Sequence, residues 1–323
     1  MKRTVIVAAF SSIAAACGTE PLGPAIRVIV PRGASFAVAT DSLKAKGLVG
    51  APALFRAYAR LKGDDRHIKP GTYLLKRGTS WGAILSALNG GRGIVNTVTI
   101  PEGFSLSRIV PLLALRLGVP VDSVTTAVRD TVLIARLGIP TPTVEGYVFP
   151  DTYAFPEGTT ARQAVDEMVK RFEREWKREW TVTLSGLARS RHDVVTLASI
   201  VEKEARKPEE RSVIAAVYLN RIREGMLLQA DPTVQYALGK HTPRVLYKDL
   251  EIDSPYNTYR HPGLPPGPIA SPGAASLAAA LFPARVPYLY FVAYPDGHHE
   301  FRNTIAEHEA AVRGSRSPPR SPP

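Results

Sequence analysis

Three segments of the chain carry the same punctuation, and that repetition restricts the fold more than any other feature. Gly33-Ala34-Ser35, Gly78-Thr79-Ser80 and Gly103-Phe104-Ser105 follow the strand-like runs IRVIV, GTYLLK and VNTVTI. Each precedes an apolar helical pattern that closes on Leu43, Leu88 or Leu113, ten residues after its glycine. The glycine permits the turn off the strand, the serine can cap the first free amides of a helix, and the leucine closes the apolar face. The spacing predicts a strand–turn–helix unit used three times, its copies packing around a shared core.

The rest of the chain reads differently. Residues 114–145 are expected to be helix and connector. EGYVFPDTY (Glu145–Tyr153) has aromatic and proline residues without periodicity, as in a hinge or cleft wall. One long amphipathic helix is predicted from Ala161 to Trp180, then a helix over HDVVTLASIVEKEAR stopped by Pro208, and another over EERSVIAAVYLNRIREG closed by Gly225. Met226–Pro272 reads as loop, followed by a short Ala-rich helix, the strand YLYFVAY, a Pro-Asp-Gly turn and a second strand at HHEF. The closing GSRSPPRSPP has the composition of a disordered tail. The fold class expected is α+β, with strand–helix modules followed by a mixed α+β domain. The 323 residues suffice for two domains.

At the start, Met1-Lys2-Arg3 is followed by the apolar or small run 4–16 and by Cys17, the only cysteine. The run is too short to span a bilayer, which takes roughly 20 residues, but it suits the apolar part of a secretory signal. A cysteine after Ala14-Ala15-Ala16 resembles a lipoprotein cleavage site, though without the usual leucine three positions upstream. A plain signal peptide with an incidental cysteine is the alternative. Both place the mature domain on the exported side, with residues 1–25 as signal or anchor.

A formal charge of +12, from 41 basic and 29 acidic side chains, suits an anionic partner such as nucleic acid, phospholipid headgroups or an acidic wall polymer. It equally suits an Arg-rich surface with no such role. No block of like charge and no Arg/aromatic stripe marks a nucleic-acid groove, so nucleic acid is not expected as a partner. Neither a phosphate loop, an HExxH motif nor a G-x-S-x-G elbow is present. His298, His299 and His308 fit solvent-facing imidazoles on a strand pair and helix better than a metal site, and no cofactor is expected.

One carboxylate stands out. With Leu197 at the centre of a helical face, Val194, Ile200 and Val201 lie beside it, and Glu204 falls inside the same stripe. Glu202 sits at the margin and Lys203 on the other side. A carboxyl on an apolar face loses hydration, which raises its pKa toward the range a general acid needs. Pairing with an arginine such as Arg221 would give the same pattern without catalysis, and periodicity leaves both readings standing. Gln229, Asp231, Tyr256, Asn257 and Tyr259 crowd into proline-stiffened loops downstream. Amides and aromatic rings held on rigid loops suit a sugar, whose hydroxyls they bond and whose apolar faces they cover.

The run LASIVEKEARKPEERSVIAAVYLNRIREGMLLQADPTVQYALG resembles the signature region of the endolytic murein transglycosylase family, the YceG-like proteins. SPYNTYRHPGLPPGPIASPG, YLYFVAYPDGHHEFRNTIAEH and the upstream EGYVFPDTY resemble it too, so that the likeness extends from about Ile26 to about Val312. The resemblance implies LysM-like modules and a connector over 26–145, a catalytic domain over 146–313 and a tail over 314–323. It implies Glu204 as the catalytic residue, with Asn220, Gln229, Asp231, Tyr256, Asn257 and Tyr259 binding substrate and no metal.

The implied reaction is non-hydrolytic cleavage of the MurNAc-β-1,4-GlcNAc bond to 1,6-anhydro-MurNAc ends, limiting nascent strand length. Its partners would be peptidoglycan glycan strands and, by extension, peptidoglycan synthases and the division machinery. The site would be the outer (periplasmic) side of the inner membrane, with the protein held through its N-terminus. Members of the family typically carry a full N-terminal membrane helix, whereas this sequence offers thirteen apolar or small residues and a cysteine at that place. A hydrolase using Glu204 with Asp231, and a non-catalytic wall-binding or division scaffold, are the competing readings. Charge at the anomeric carbon would be met by the substrate acetamido group or by Asp231.

Overall fold

The computed structural model describes residues 23–31, 33–90, 94–187, 189–239 and 245–315. The basic start, the apolar run, Cys17 and the end of the proline-rich tail lie outside them. The chain divides into two compact units, one of residues 1–97 with 154–159, the other of 98–153 with 160–323.

The first unit contains β1 (Ile26–Val30), α1 (Phe36–Ala45), α2 (Pro52–Lys62), β2 (Gly71–Leu75) and α3 (Trp81–Gly90), and most of β3 (Ile94–Thr99). β1 runs antiparallel to β2, pairing Ile26 with Leu75 and Val30 with Gly71, and β2 runs antiparallel to β3. Gly33, Gly78 and Gly103 all adopt the left-handed conformation that the turn off each strand requires. Ser35 accepts from Val38 N and Ser80 from Ala83 N, each capping its helix as expected. Leu43 and Leu88 are fully buried in one core with Val28, Phe55, Tyr73 and Ile84. The first two repeats therefore share a core. The helices run two residues past their leucines, and α2, with Phe55 and Ala59 inward, adds a helix that the repeat did not announce.

The third repeat departs from the expectation. Its helix, α4 (Leu106–Leu117), lies in the second unit, where Leu113 is buried among residues of that unit. Ser105 makes no capping bond. The Leu106 amide instead donates to both carboxylate oxygens of Glu145, at 3.1 and 3.0 Å. Both oxygens of the Glu145 carboxyl thus meet the first amide of α4 in place of the Ser105 hydroxyl.

The second unit continues with α5 (Val121–Ala127), α6 (Thr131–Leu137), α7 (Ala161–Glu175), α8 (Arg178–Ser185) and α9 (Arg191–Glu204), while β4 (Thr152–Pro156) begins in it and has its last three residues in the first unit. After them come α10 (Arg211–Arg223), α11 (Asp231–Ala237), α12 (Ala274–Leu281), β5 (Tyr290–Ala293), β6 (His299–Arg302) and α13 (Ile305–Ser315). Short 3-10 turns occupy Pro208–Glu210 and Tyr247–Glu251. Four strands hydrogen-bond in the order β1-β2-β3-β4, while β5 and β6 form a separate antiparallel pair. The class is α+β.

Two helix expectations are corrected. The helix predicted over Ala161–Trp180 breaks at Trp176, whose backbone turns extended while its ring packs against Phe172 and Trp180 and its indole N–H donates to Thr181. Met226–Pro272 is not all loop, because Asp231 opens α11. At the C-terminus, α13 includes Gly314 and Ser315, which composition assigned to the tail. Among the described residues no helix is long and apolar enough to cross a membrane.

Candidate functional site

α9 is set by its ends. Ser190 and Asp193 form a reciprocal capping box at its start, and the chain turns extended at Ala205. Every residue from Val194 to Val201 is buried, for α10, α11 and α12 all pack on this helix. The single apolar stripe expected from the spacing is thus a helix enclosed on all sides. Glu204 reaches solvent because it is the last residue of α9, where the helix emerges.

The Glu204 carboxyl is densely surrounded by protein, yet the residue keeps some accessible surface. Tyr218 of α10 donates to its Oε1 at 3.0 Å. Burial raises its pKa to about 7, and the negative charge of Asp231 adds to the rise, while the Tyr218 bond and Arg206 oppose it. The last turn of a helix also disfavours a negative charge. Arg221, the alternative partner, is engaged elsewhere. It donates to the carbonyls of Leu289 and Leu228, both at 2.7 Å, and lies over the Tyr290 ring.

The structure brings some of the other expected residues to this carboxyl. Tyr259 donates to Asp231 Oδ1 at 2.6 Å, and the electrostatic influence of both reaches the Glu204–Tyr218 pair. Gln229 is exposed two residues before Asp231 and, among the described residues other than glycine, alone takes a positive φ (51°). Such strain persists only where the surroundings fix it. Here the Gln229 amide donates to Thr258 O and the Ala230 amide to Thr258 Oγ1, clamping the two loops together. Tyr256 packs on Tyr236 of α11, ring centroids 4.9 Å apart.

Two expected residues have other work. Buried Asn220 donates to the carbonyls of Val286 and Tyr288 and accepts from Arg223. Asn257, fully buried, donates to Leu250 and Ile252 carbonyls and accepts from the Tyr259 amide. Their bonding capacity is taken up inside the fold, and their effect on a ligand passes through the loops they hold.

Glu202 also departs from the expectation of a helix margin. Its carboxylate accepts from Gly273 N at 3.0 Å and Ser276 Oγ at 2.7 Å, at the start of α12, with Arg211 at 3.8 Å. It fastens α12 to α9. Of the histidines expected to face solvent, His298 sits half-open beside Asp296, but His299 is buried with Nδ1 2.7 Å from Glu210, and the His308 ring stacks on Tyr290. Among the described residues no group of His, Cys, Asp and Glu could hold a metal ion.

Sequence reasoning missed a second buried acid. Glu145, 4% exposed, accepts from Leu106 N as described and from Tyr236 OH at 3.3 Å. Burial outweighs these bonds and raises its pKa to about 7. It lines a cavity of about 580 Å³ with Ser105, Arg108, Arg129, Lys203 and Tyr236. Next to it, Gly146 has φ +80, and a Cβ there would lie 2.4 Å from the Pro268 side chain, so only glycine lets this segment meet the 268 loop. The one hint in the sequence was an acid opening an aperiodic apolar run. Tyr218 gave none, since an aromatic in an apolar helix reads as core.

With this geometry in place, comparison with known proteins is informative. The model of the YceG-like family matches residues 28–314. The chain is similar to the endolytic murein transglycosylase of Bacillus subtilis (strain 168), 35% identical over 301 residues, covering 88% of this chain and 83% of the relative. It is similar also to the endolytic murein transglycosylase of Streptococcus pneumoniae serotype 2, 30% identical over 322 residues, covering 88% of this chain and 58% of that longer protein. Among solved structures, a YceG-like protein from Listeria monocytogenes superposes with a TM-score of 0.65 at 34% identity, over 89% of this chain and 98% of that one.

Proposed function

The chain belongs to the YceG-like family and is a murein transglycosylase; we propose that it cuts the MurNAc-β-1,4-GlcNAc bond within the strand, using Glu204 as its one acid and base. The observation that carries this reading is the Glu204 carboxyl itself, on a partly exposed residue at the end of α9, held by Tyr218 and raised to about 7 by burial. Near neutral pH such a group is present in both protonation states, as a residue that gives and then takes a proton requires.

Protonated Glu204 delivers its proton to the glycosidic oxygen as the bond to the anomeric carbon breaks. The resulting carboxylate takes the proton of the MurNAc C6 hydroxyl while that oxygen closes on the anomeric carbon. Ordinary glycosidases need two carboxylates to manage leaving group and water. With an internal hydroxyl in place of water, one suffices. Tyr218 fixes the carboxyl, and burial keeps its pKa high, with the charge of Asp231, tied to Tyr259, adding to the rise. Gln229, Tyr256 and Tyr259 supply the amide and ring surfaces for the sugars, and Asn220 and Asn257 hold the loops that present them.

Mass spectrometry of glycan fragments tests the reaction. Anhydro ends are expected, two hydrogens and one oxygen lighter than reducing ends. Reducing ends would instead establish a hydrolase that pairs Glu204 with Asp231, and intact strands a binding scaffold.

The strand–helix modules of the first unit are LysM-like and bind the polymer without cutting it. The protein works at the cell envelope on the outer face of the inner membrane, held through its N-terminus. Residues 26–97, if they fold alone and fail to pellet with purified sacculi, do not have that role. A mature protein that keeps residues 1–16 and carries no lipid on Cys17 would remove the lipid anchor.

A further inference from the structure

The cavity beside Glu145 has a charge imbalance that the cleavage reaction does not use. Arg108, Arg129 and Lys203 all line it, and Glu145 is the only acidic side chain on its wall. That carboxyl is committed to the Leu106 amide and the Tyr236 hydroxyl, so it does not neutralise them. Among the described residues none of the three cations pairs with a carboxylate. Arg108 lies over the Phe104 ring, 3.7 Å from its centroid, and Lys203 reaches only the Gly103 carbonyl at 3.4 Å. Burial and the charge of Arg108 both hold the Lys203 pKa below its ordinary value. Uncompensated like charges around one concavity raise the local concentration of anions.

The place of this cavity in the sequence narrows the anion. Lys203 precedes Glu204, and Pro232, also on the wall, follows Asp231. The two helices that carry Glu204 and Asp231, α9 through Lys203 and α11 through Pro232, Gln235 and Tyr236, therefore also form its wall. In peptidoglycan the sugar hydroxyls and acetamides are neutral. The negative charge nearest the cut bond belongs to the stem peptide, which leaves MurNAc through the lactyl ether at C3, two carbons from the anomeric centre.

On the reading of the protein as a transglycosylase, we infer that the cavity lined by Arg108, Arg129 and Lys203 is a subsite for the carboxylates of the stem peptide. Through it the enzyme distinguishes peptide-bearing strands from bare glycan. Arginine forks match carboxylates in geometry as well as charge.

The test compares wild type with the Arg108→Ala/Arg129→Ala variant of the full chain. Both arginines are exposed, and circular dichroism confirms that the variant folds. Two substrates are used: uncrosslinked strands with free-carboxylate stems, and the same strands stripped of peptide by an amidase and then capped as the neutral lactyl amide, since the amidase leaves a carboxylate on each MurNAc. Losing charged hydrogen bonds should raise KM for peptide-bearing strands about tenfold or more. Stripping the peptide should cost the wild type a similar factor, and on stripped strands the two enzymes should differ by less than about twofold, because the same interaction is already absent. Equal losses on both substrates, or none on either, overturn the assignment.

A calorimetric titration with free stem tetrapeptide separates this claim from the one beneath it. Wild type that binds the tetrapeptide and cuts neither strand keeps the subsite and refutes the transglycosylase reading. Wild type that cuts strands, with tetrapeptide heats unchanged by the double substitution, refutes the subsite alone.

Discussion

Glu204→Gln should lower turnover of glycan strands by roughly 10²–10⁴-fold, the range typical of losing general acid/base catalysis, while leaving the fold intact. The amide keeps an oxygen where Tyr218 donates to Oε1, and it cannot carry the proton. It also stands near in charge to the protonated acid that the site prefers, so no new desolvation cost arises. Glu209→Gln, on the exposed turn five residues on, is the control that should retain full activity. Glu202→Gln is not such a control, despite its apparent position at the helix margin. It weakens charge-assisted bonds to Gly273 N and Ser276 Oγ, each of a kind worth about 1.5–3 kcal/mol, and should lower stability more than turnover per folded molecule. Release of new glycan ends, normalised to the folded fraction by circular dichroism, reads all three. An active Glu204→Gln beside a folded, dead Glu202→Gln would mean that the wrong carboxylate has been chosen.

The second large effect is on stability. Glu145 and Glu204 both have folded-state pKa values near 7, well above an unfolded glutamate at about 4.3. Between those values the native state keeps protons that the unfolded chain has released, so stability falls as pH rises through that window. Each acid contributes stability in full below about 4.3 and loses roughly 3 kcal/mol of it by pH 8. Urea unfolding at pH 5 and pH 8 should show the decline in wild type. Glu145→Gln and Glu204→Gln should each remove a similar share of it and the double variant the sum of the two, leaving the part due to Glu102, which burial also holds high. Asp130, Asp166, Asp296 and Glu307, all held low by their hydrogen bonds, titrate below the window. Half-buried His308, held low, acts in the opposite sense, but it is common to every variant and cancels in the differences. An unchanged slope in the double variant would show that neither acid is held protonated by the fold.

The sequence carried some of this and not the rest, for reasons visible in particular residues. The glycine–serine punctuation located three strands and three helices, because left-handed turns and helix starts are local events. It did not reveal which core each helix would enter, and Leu113 went to a different unit from Leu43 and Leu88. Nor did it foresee that Ser105 would yield its capping role to Glu145, 40 residues on in the chain. Glu204 was found by a stripe argument that is only partly right. The helix is enclosed all round, and what leaves Glu204 partly exposed is its place at the helix end. The loop residues show the limit of composition. Asn257 looks as suitable for a sugar as Gln229 does, yet one has its bonds filled within the fold and the other faces solvent. Arg108, Arg129 and Lys203 share a wall only after folding, and nothing in their spacing announces it.

The enclosure of α9 has a consequence for heredity. If Glu204 is the acid and base, as proposed, the chemistry rests on the last side chain of a helix packed on every side, and its position is passed up from Val194, Leu197 and Val201 through the packing itself. Trimming one of these leaves a void that the last turn relaxes into, and warming multiplies the fraction of molecules in which it has done so. Conditional alleles of this gene, sound in the cold and silent in the heat, belong in a stretch of chain that never meets a sugar. A lineage refining how it cuts its wall is therefore under selection in its interior as much as at its cleft.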